Sequence, residues 1–243
     1  MMFLGAGFLL AAEPADEVPD EVPYEKLDEA GKNIIKMNTA AQLKEIGWGE
    51  NVKGGRPKNY SLESLLAAAR MYRELPKMGE AKLEEVTATE AKDTPKLEVK
   101  PFDALAESKL ILDRVKEIVD TFDNAKEKEA FMVLVSSIEK IDNSKAIVGG
   151  PKTQNFVLHP GQTQTFTFRA YAGQTSVVLV RTSGPTLRFK MVRVENDYVH
   201  YHQSARYGQY TWSPKGASGT APAYRMTVHN PQRVPVQFTV ALR

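Results

Sequence analysis

The hydrophobic period of this chain changes once, at the sequence IVGGP (147–151), and this change limits the possible folds more than any other feature. Before it, apolar residues recur every three or four positions, as on one face of an α-helix. After it, apolar and polar residues alternate, as on strands that bury one face. We therefore predict an α+β protein in two parts: a helical domain at 24–146 and an antiparallel β-sandwich of jelly-roll or immunoglobulin-like type at 151–243.

The pattern before the change predicts about four helices. Ser61 and Asp103 each precede an apolar stripe and are typical N-cap residues. Two heptad-like stripes on either side of DNAKEK (123–128) predict an antiparallel helical hairpin. Residues 77–101 are dominated by Lys, Glu, Thr and Ala, and we predict a long loop there, with a weak hairpin as the alternative.

The pattern after the change predicts seven or eight short strands separated by turns. In TLRFKMV (186–192) the apolar positions are predicted to face inward, and Arg188 and Lys190 outward. In contrast, TSVVLVR (175–181) is apolar on both faces, which predicts a strand covered on both sides.

Charge is distributed unevenly between the two parts. Residues 151–243 contain eleven Lys and Arg against Glu195 and Asp197, a net charge of +9. Residues 1–150 carry 21 basic and 28 acidic side chains, a net charge of −7. Such asymmetry bears on partners rather than on fold. The basic part either attracts an external anion or receives the acidic leader and helices of its own chain.

Residues 1–23 are predicted to be a signal-like apolar segment followed by an acidic leader. The run from Met2 to Ala12 is apolar, ends in small residues and is too short to span a bilayer. It predicts export, with an extracytoplasmic location that is periplasmic or secreted. The alternative is a frayed apolar terminus, since the positive residues that usually begin a signal peptide are missing. No transmembrane span is predicted.

The C-terminal part resembles the bacterial pre-peptidase C-terminal (PPC) type of domain. The resemblance rests on a Trp-x-Pro motif, here Trp212 and Pro214, and on a Y-x-hydrophobic-x-V-x-N pattern, here Tyr224, Val228 and Asn230. The order of helices, IVGGP and sandwich also looks similar to that of a set of uncharacterised exported bacterial proteins. The resemblance implies an extracytoplasmic β-sandwich that serves as an accessory or binding module.

The sequence departs from this family on the central strand, where the family carries acidic residues. This chain has Thr186, Arg188 and Lys190 there, and only Glu195 and Asp197 supply carboxylates in the whole sandwich. Calcium needs several oxygen ligands, so we expect no calcium site.

Two histidines in the sandwich are candidate metal ligands. His200 and His202 alternate with other residues, so a regular strand would project both imidazoles from one face. A transition metal needs a third converging ligand, and polar residues on a surface strand have the same spacing. We expect no metal.

The sequence contains no motif that predicts catalysis. The absence of cysteine excludes disulfides, thiolate zinc sites and cysteine nucleophiles. There is no G-x-S-x-G nucleophile elbow, and the Gly-Gly pairs lack a phosphate-loop frame. We therefore expect no enzyme and no cofactor.

The cations of the sandwich are the features that point to a function. Arginine outnumbers lysine eight to three, which suits bidentate contacts with phosphate, sulfate or carboxylate. Stacking surfaces for a sugar or a base are predicted at Tyr198, Tyr201, Tyr207 and Tyr210. The predicted polyanion-binding residues are Arg181, Arg188, Lys190, Arg193 and Arg225.

These observations predict a non-catalytic exported module whose basic sandwich engages an acidic polysaccharide or another acidic envelope polymer or surface. Nucleic acid is not expected as a partner of an exported protein. The alternative is a structural subunit of an extracytoplasmic assembly, with the helical region contacting a protein partner. If the outward arginines serve only to keep edge strands soluble, the structural-subunit alternative is favoured.

Overall fold

The computed structural model of the protein describes residues 22–50, 58–80, 83–88, 102–142, 151–182, 184–217 and 219–243. The predicted signal-like segment, most of the acidic leader and residues 147–150 lie outside this part of the chain. None of the described helices combines the length and the apolar character that crossing a membrane requires.

Four α-helices lie in the described residues before the sandwich, as the sequence predicts: α1 (Glu29–Trp48), α2 (Leu62–Glu74), α3 (Ala104–Asp120) and α4 (Ala125–Glu139). Both predicted N-caps are confirmed. The Ser61 hydroxyl accepts a hydrogen bond from the Ser64 N–H at 3.2 Å. The Asp103 carboxylate accepts from the Leu105 and Ala106 N–H groups at 2.9 and 3.1 Å. These bonds satisfy donors that a helix start otherwise leaves without partners.

The predicted helical hairpin is formed by α3 and α4. Lys116 of α3 pairs with Glu139 of α4 at 2.7 Å, and Asp120 pairs with Lys128 at 2.7 Å. The end of α3, at Asp120, thus lies beside the first half of α4, whereas Lys116, earlier in α3, lies beside the end of α4. The two helices therefore run antiparallel.

The described strands are β1 (Gly49–Glu50), β2 (Lys58–Tyr60), β3 (Gly79–Glu80), β4 (Glu84–Ala88), β5 (Lys152–Leu158), β6 (Thr163–Arg169), β7 (Ser176–Thr182), β8 (Leu187–Arg193), β9 (Val199–Ala205), β10 (Tyr207–Trp212), β11 (Ala223–His229) and β12 (Val236–Leu242). Sheet 1 has the strand order β10–β7–β12–β5–β3, and sheet 2 has the order β4–β6–β11–β8–β9. Strands β5 to β12 contribute four antiparallel strands to each sheet in a jelly-roll arrangement. The predicted α+β class is confirmed.

Part of the predicted loop at 77–101 is extended instead. Gly79–Glu80 (β3) pairs with β5 at the edge of sheet 1, and Glu84–Ala88 (β4) pairs with β6 at the edge of sheet 2. Leu83, between them, is buried in the sandwich core. Edge strands tolerate charged residues because one side of each strand faces water, so a Glu- and Lys-rich sequence does not exclude a strand. Residues 89–101 lie outside the described part.

The helices cover the outer face of sheet 1. One hydrophobic cluster joins the helices to Val177 and Leu179 of β7 and to Ala241 of β12. A second cluster fills the space between the two sheets, with Trp212 and Tyr224 among its largest buried side chains. Every residue of β7 is buried, which confirms the prediction of a strand covered on both faces. The result is three layers: helices, sheet 1 and sheet 2.

Polar contacts also join the helices to the sandwich. Asp28, the N-cap of α1, accepts a hydrogen bond from Arg243 at 2.6 Å. Arg206 pairs with Glu45 of α1. The acidic helical part therefore does contact the basic sandwich, but on the side of sheet 1.

Candidate functional site

The outer face of sheet 2 carries three of the five predicted anion-binding residues. On β8, Arg188 and Lys190 are exposed, while Leu187 and Phe189 are buried, as the alternating pattern predicts. Arg225 lies on the neighbouring strand β11 and is half-buried.

Strand register places these cations beside two histidines and a column of threonines. Directly opposite residues of an antiparallel pair share one face and lie about 5 Å apart. The rows across the sheet are Ser204–Arg188–His229–Thr163, His202–Lys190–Thr227–Thr165 and Val192–Arg225–Thr167. We call Arg188, Lys190, Arg225, His202 and His229 the basic face. Sequence spacing alone could not pair His229 with Arg188, because 41 positions separate them and only the register of β8 and β11 brings them together.

The basic face has little acidic compensation. Strands β6, β8, β9 and β11 contain no Asp or Glu, whereas the edge strand β4 carries Glu84 opposite Thr167, in the row of Arg225. Arg188 and Lys190 make no ion pair within the described residues, and Arg225 lies 3.8 Å from the exposed carboxylate of Asp197. Cations placed next to one another on a sheet repel and lower stability. The register therefore concentrates positive charge on one face of sheet 2, at some cost to stability.

Arg181 lies elsewhere, so the predicted set does not form a single surface. It is only 8 % exposed and its guanidinium Nη1 donates to the Tyr72 hydroxyl at 2.9 Å. The guanidinium also lies 5.0 Å from the ring centre of Phe102, in cation–π contact. Burial raises the pKa of Tyr72 to about 12, so this phenol is neutral. Arg181 shares the outer face of sheet 1 with Val177 and Leu179, and the helices cover that face.

Arg193 also points away from the basic face. It ends β8 directly opposite Tyr224, which is fully buried inside the sandwich. Its guanidinium pairs with Glu195 at 3.2 Å, and Glu195 also accepts the Ala223 N–H at 2.9 Å. The Ala223 N–H, more than Arg193, holds the pKa of Glu195 below its ordinary value. A carboxylate thus already neutralises Arg193.

The two candidate metal ligands are separated by a β-bulge. Met191 is opposite Tyr201 and Val192 is opposite Val199, so His200 is the extra residue on β9. Its ring contacts Tyr224 inside the sandwich, with 5.3 Å between ring centres, whereas His202 lies on the basic face. The expectation that both imidazoles share a face is wrong, because a bulge re-aims one side chain. Within the described residues, no three His, Asp or Glu side chains are grouped as metal ligands.

Three of the tyrosines that could offer stacking surfaces make contacts away from the basic face. Tyr201 stacks on Tyr210, with 5.1 Å between ring centres, and Tyr210 stacks on Trp212, with 5.4 Å. Tyr207 donates its hydroxyl to Glu45 at 2.7 Å, at the contact with α1. The rings of Tyr201, Tyr210 and Trp212 extend the sandwich core, and Tyr207 joins sheet 1 to the helices.

No family model matches the sequence, and no curated protein matches it. The fold has faint likenesses among solved structures. A de novo designed double-stranded β-helix is 12% identical, with a TM-score of 0.25, over 38% of this chain and 99% of that chain. A family GH115 4-O-methyl-α-glucuronidase, BtGH115A, is 10% identical, with a TM-score of 0.26, over 75% of this chain and 28% of that chain.

A third likeness is to the capsular polysaccharide assembling protein CapF from Staphylococcus aureus. It is 11% identical, with a TM-score of 0.21, over 80% of this chain and 59% of that chain. Such low TM-scores support no inference about family or activity.

Proposed function

We propose that the protein is a non-catalytic, exported accessory module whose basic face binds an acidic polymer of the cell envelope. The observation that carries the proposal is the pair Arg188 and Lys190, exposed on β8 between strands β9 and β11, which contain no carboxylate. Export is supported by the apolar run from Met2 to Ala12 and by the resemblance to PPC-like domains.

The shape of the face favours a polymer over a small ligand. Alternate residues on a strand lie about 7 Å apart and neighbouring strands about 5 Å apart, so the cations form a shallow grid. An extended chain with repeated negative charges can contact several of these cations at once. The hydroxyls of Thr165 and Thr227, 3.5 Å apart on the same face, add hydrogen-bonding groups.

Retention on immobilised heparin, a sulfated polysaccharide, tests the proposal. Arg188→Gln with Lys190→Gln should elute at clearly lower salt than the wild type, because each neutralised phosphate-like contact contributes to the salt dependence of binding. The matched control is Lys152→Gln with Arg233→Gln, which removes two exposed cations outside the basic face and should elute close to the wild type. If both variants elute at equally lowered salt, the effect comes from net charge alone, and the proposal is overturned.

The second candidate function is a structural subunit, and the exposed surface of α4 favours it. Val133 and Leu134 are 62% and 49% exposed. They form a stripe with the exposed residues Ala130 and Ser137 at helical spacing. Such a stripe on a surface helix is typical of a protein contact.

Charge on α4 suits a second copy of the chain as the partner. Glu129 and Lys140 are exposed and lie eleven residues apart, about three turns, on the same side of the helix. In an antiparallel pair of α4 helices, Glu129 of one copy would face Lys140 of the other.

Sedimentation over a range of concentrations tests this candidate. Self-association that Leu134→Lys abolishes, and that Lys109→Gln on α3 preserves, would support it. A monomer at all concentrations would overturn it.

A further inference from the structure

We infer that the basic face is a pH-dependent anion site: His202 and His229 take up protons when a polyanion binds, and affinity rises as pH falls. This inference concerns the regulation of the proposed binding face and rests on that function. It arises from register, since each histidine lies directly opposite one of the two exposed cations of β8.

His202 is an exposed residue of β9. It lies directly opposite Lys190 of β8. Arg188, two residues before Lys190 on β8, is its nearest diagonal charged neighbour. Strand β9 is the outer strand of sheet 2, so no further strand of the sheet flanks His202.

His229 is a half-buried residue at the end of β11. It lies opposite Arg188 on β8 and opposite Thr163 on β6, whose Oγ1 is 3.0 Å from its Nδ1. Lys190 is its diagonal neighbour. The carboxylate of Asp197 lies near Arg225, two rows from His229.

Both imidazoles lie among the cations of the basic face. The strands that carry and flank the two histidines, β6, β8, β9 and β11, contain no Asp or Glu. Glu84 of the edge strand β4 lies opposite Thr167, in the row of Arg225. A bound polyanion reverses the local field and favours the charged imidazolium. Binding of protons and of the polymer is therefore coupled, and each strengthens the other by the same factor.

The sign of the pH dependence follows from this coupling. Binding of the anion raises the pKa of the imidazoles, so the added affinity is complete at pH values below the free-state titration. It is lost as pH rises through the titration of the bound state. Imidazole is the side chain that ordinarily changes charge between pH 5 and 8. Over this range the basic face gains up to two positive charges in addition to Arg188, Lys190 and Arg225.

The experiment measures the affinity of the full chain for a defined heparin oligosaccharide at pH 5.5 and 8.5 and at several salt concentrations. Sulfates stay ionised over this range, so a pH effect comes from the protein. The expected result is binding roughly tenfold or more tighter at pH 5.5, since a one-unit pKa rise on one histidine gives up to tenfold. The salt slope should also steepen by up to about 1.8, or about 0.9 for each added charge on a densely charged probe.

Variants assign the effect to the two histidines. His202→Gln with His229→Gln should bind with the same affinity at both pH values, and the single exposed change His202→Gln should lose part of the effect. His159→Gln, a histidine in the turn after β5, is the matched control and should retain the full effect. The pKa values of His202 and His229, measured from the pH dependence of their NMR proton signals, should rise when the oligosaccharide is added.

The outcomes separate the inference from the proposed function. Binding that depends on Arg188 and Lys190 but is equal at pH 5.5 and 8.5 would overturn the inference and leave the function intact. Binding that is unchanged when Arg188 and Lys190 are replaced would overturn the proposed function. A pH effect that survives in the double histidine variant also contradicts the inference.

Discussion

At the scale of single residues, burial separates a structural arginine from an exposed one. Arg181 and Arg188 both lie on strands of alternating pattern, but the helices cover the face that carries Arg181. Its guanidinium is bonded to the Tyr72 hydroxyl and packed on Phe102. Arg188 faces water and has no ion pair in the described part of the chain. We therefore assign Arg181 to stability and Arg188 to the proposed binding.

Alanine substitution should separate these roles. Arg181→Ala should destabilise the protein by about 2 kcal/mol, because it removes buried packing and leaves the Tyr72 hydroxyl without a partner. Arg188→Ala, the control, should change stability by less than about 0.5 kcal/mol. Urea unfolding at neutral pH measures both, and similar losses in the two variants would contradict the assignment.

Sequence alternation correctly predicted that Arg188 and Lys190 face solvent. It could not separate Arg181 from them, because the pattern of one strand does not say which other layer covers it. Residues near position 181 gave one signal: β7 is apolar on both faces, which indicates a cover on the outer side. Pairing of His229 with Arg188 needed the register of strands distant in sequence.

At the scale of elements, local signals predicted the helices better than the edges of the sheets. N-caps such as Ser61 and Asp103 act within one turn and are visible in the sequence. Strand β4 is rich in Glu and Thr and is held by pairing with β6, which is far away in sequence. The bulge at His200 likewise depends on the register between β8 and β9. Neither has a local sequence signal.

The start of α1 should show a defined pH dependence. Partial burial acts to raise the pKa of Asp28, but hydrogen bonds from Arg243 and from the Gly31 N–H outweigh burial and leave the pKa below its ordinary value. A lowered pKa adds stability above the unfolded-state pKa, and this stability is lost as pH falls through the folded-state pKa.

Asp28→Asn tests this directly, since asparagine keeps the cap and removes only the charge. The variant should be less stable than the wild type at pH 7, by about 0.5 kcal/mol for a partly exposed group. The difference should shrink below about pH 4, near the ordinary pKa of Asp. Urea unfolding at pH 7 and pH 3 measures it; a difference that persists or grows at pH 3 would show that the charge is not its source.

At the scale of the whole molecule, the two predicted parts share a core. Val177, Leu179 and Ala241 of sheet 1 belong to the same hydrophobic cluster as the helices. Ion pairs such as Arg243 with Asp28 also form on that side. The helices thus cover one face of the sandwich and leave the basic face of sheet 2 exposed to solvent.

Removing the helices should therefore expose an apolar surface. A fragment of residues 151–243 should bind a hydrophobic dye and unfold at a clearly lower urea concentration than the full chain, because about three buried side chains of sheet 1 lose their cover. Changing Val177 and Leu179 to threonine in the fragment should reduce dye binding. A fragment as stable as the full chain would show that the sandwich core alone suffices.

The most direct test of the central claim is to locate the bound polymer by NMR. Backbone amide signals of the full chain are recorded while a heparin oligosaccharide is added. The predicted result is a set of shifts confined to β8, β9 and β11, around Arg188, Lys190 and Arg225, with α4 unchanged. Shifts centred on α4 or on the covered side of sheet 1, or spread evenly over all exposed lysines, would contradict the assignment of the basic face.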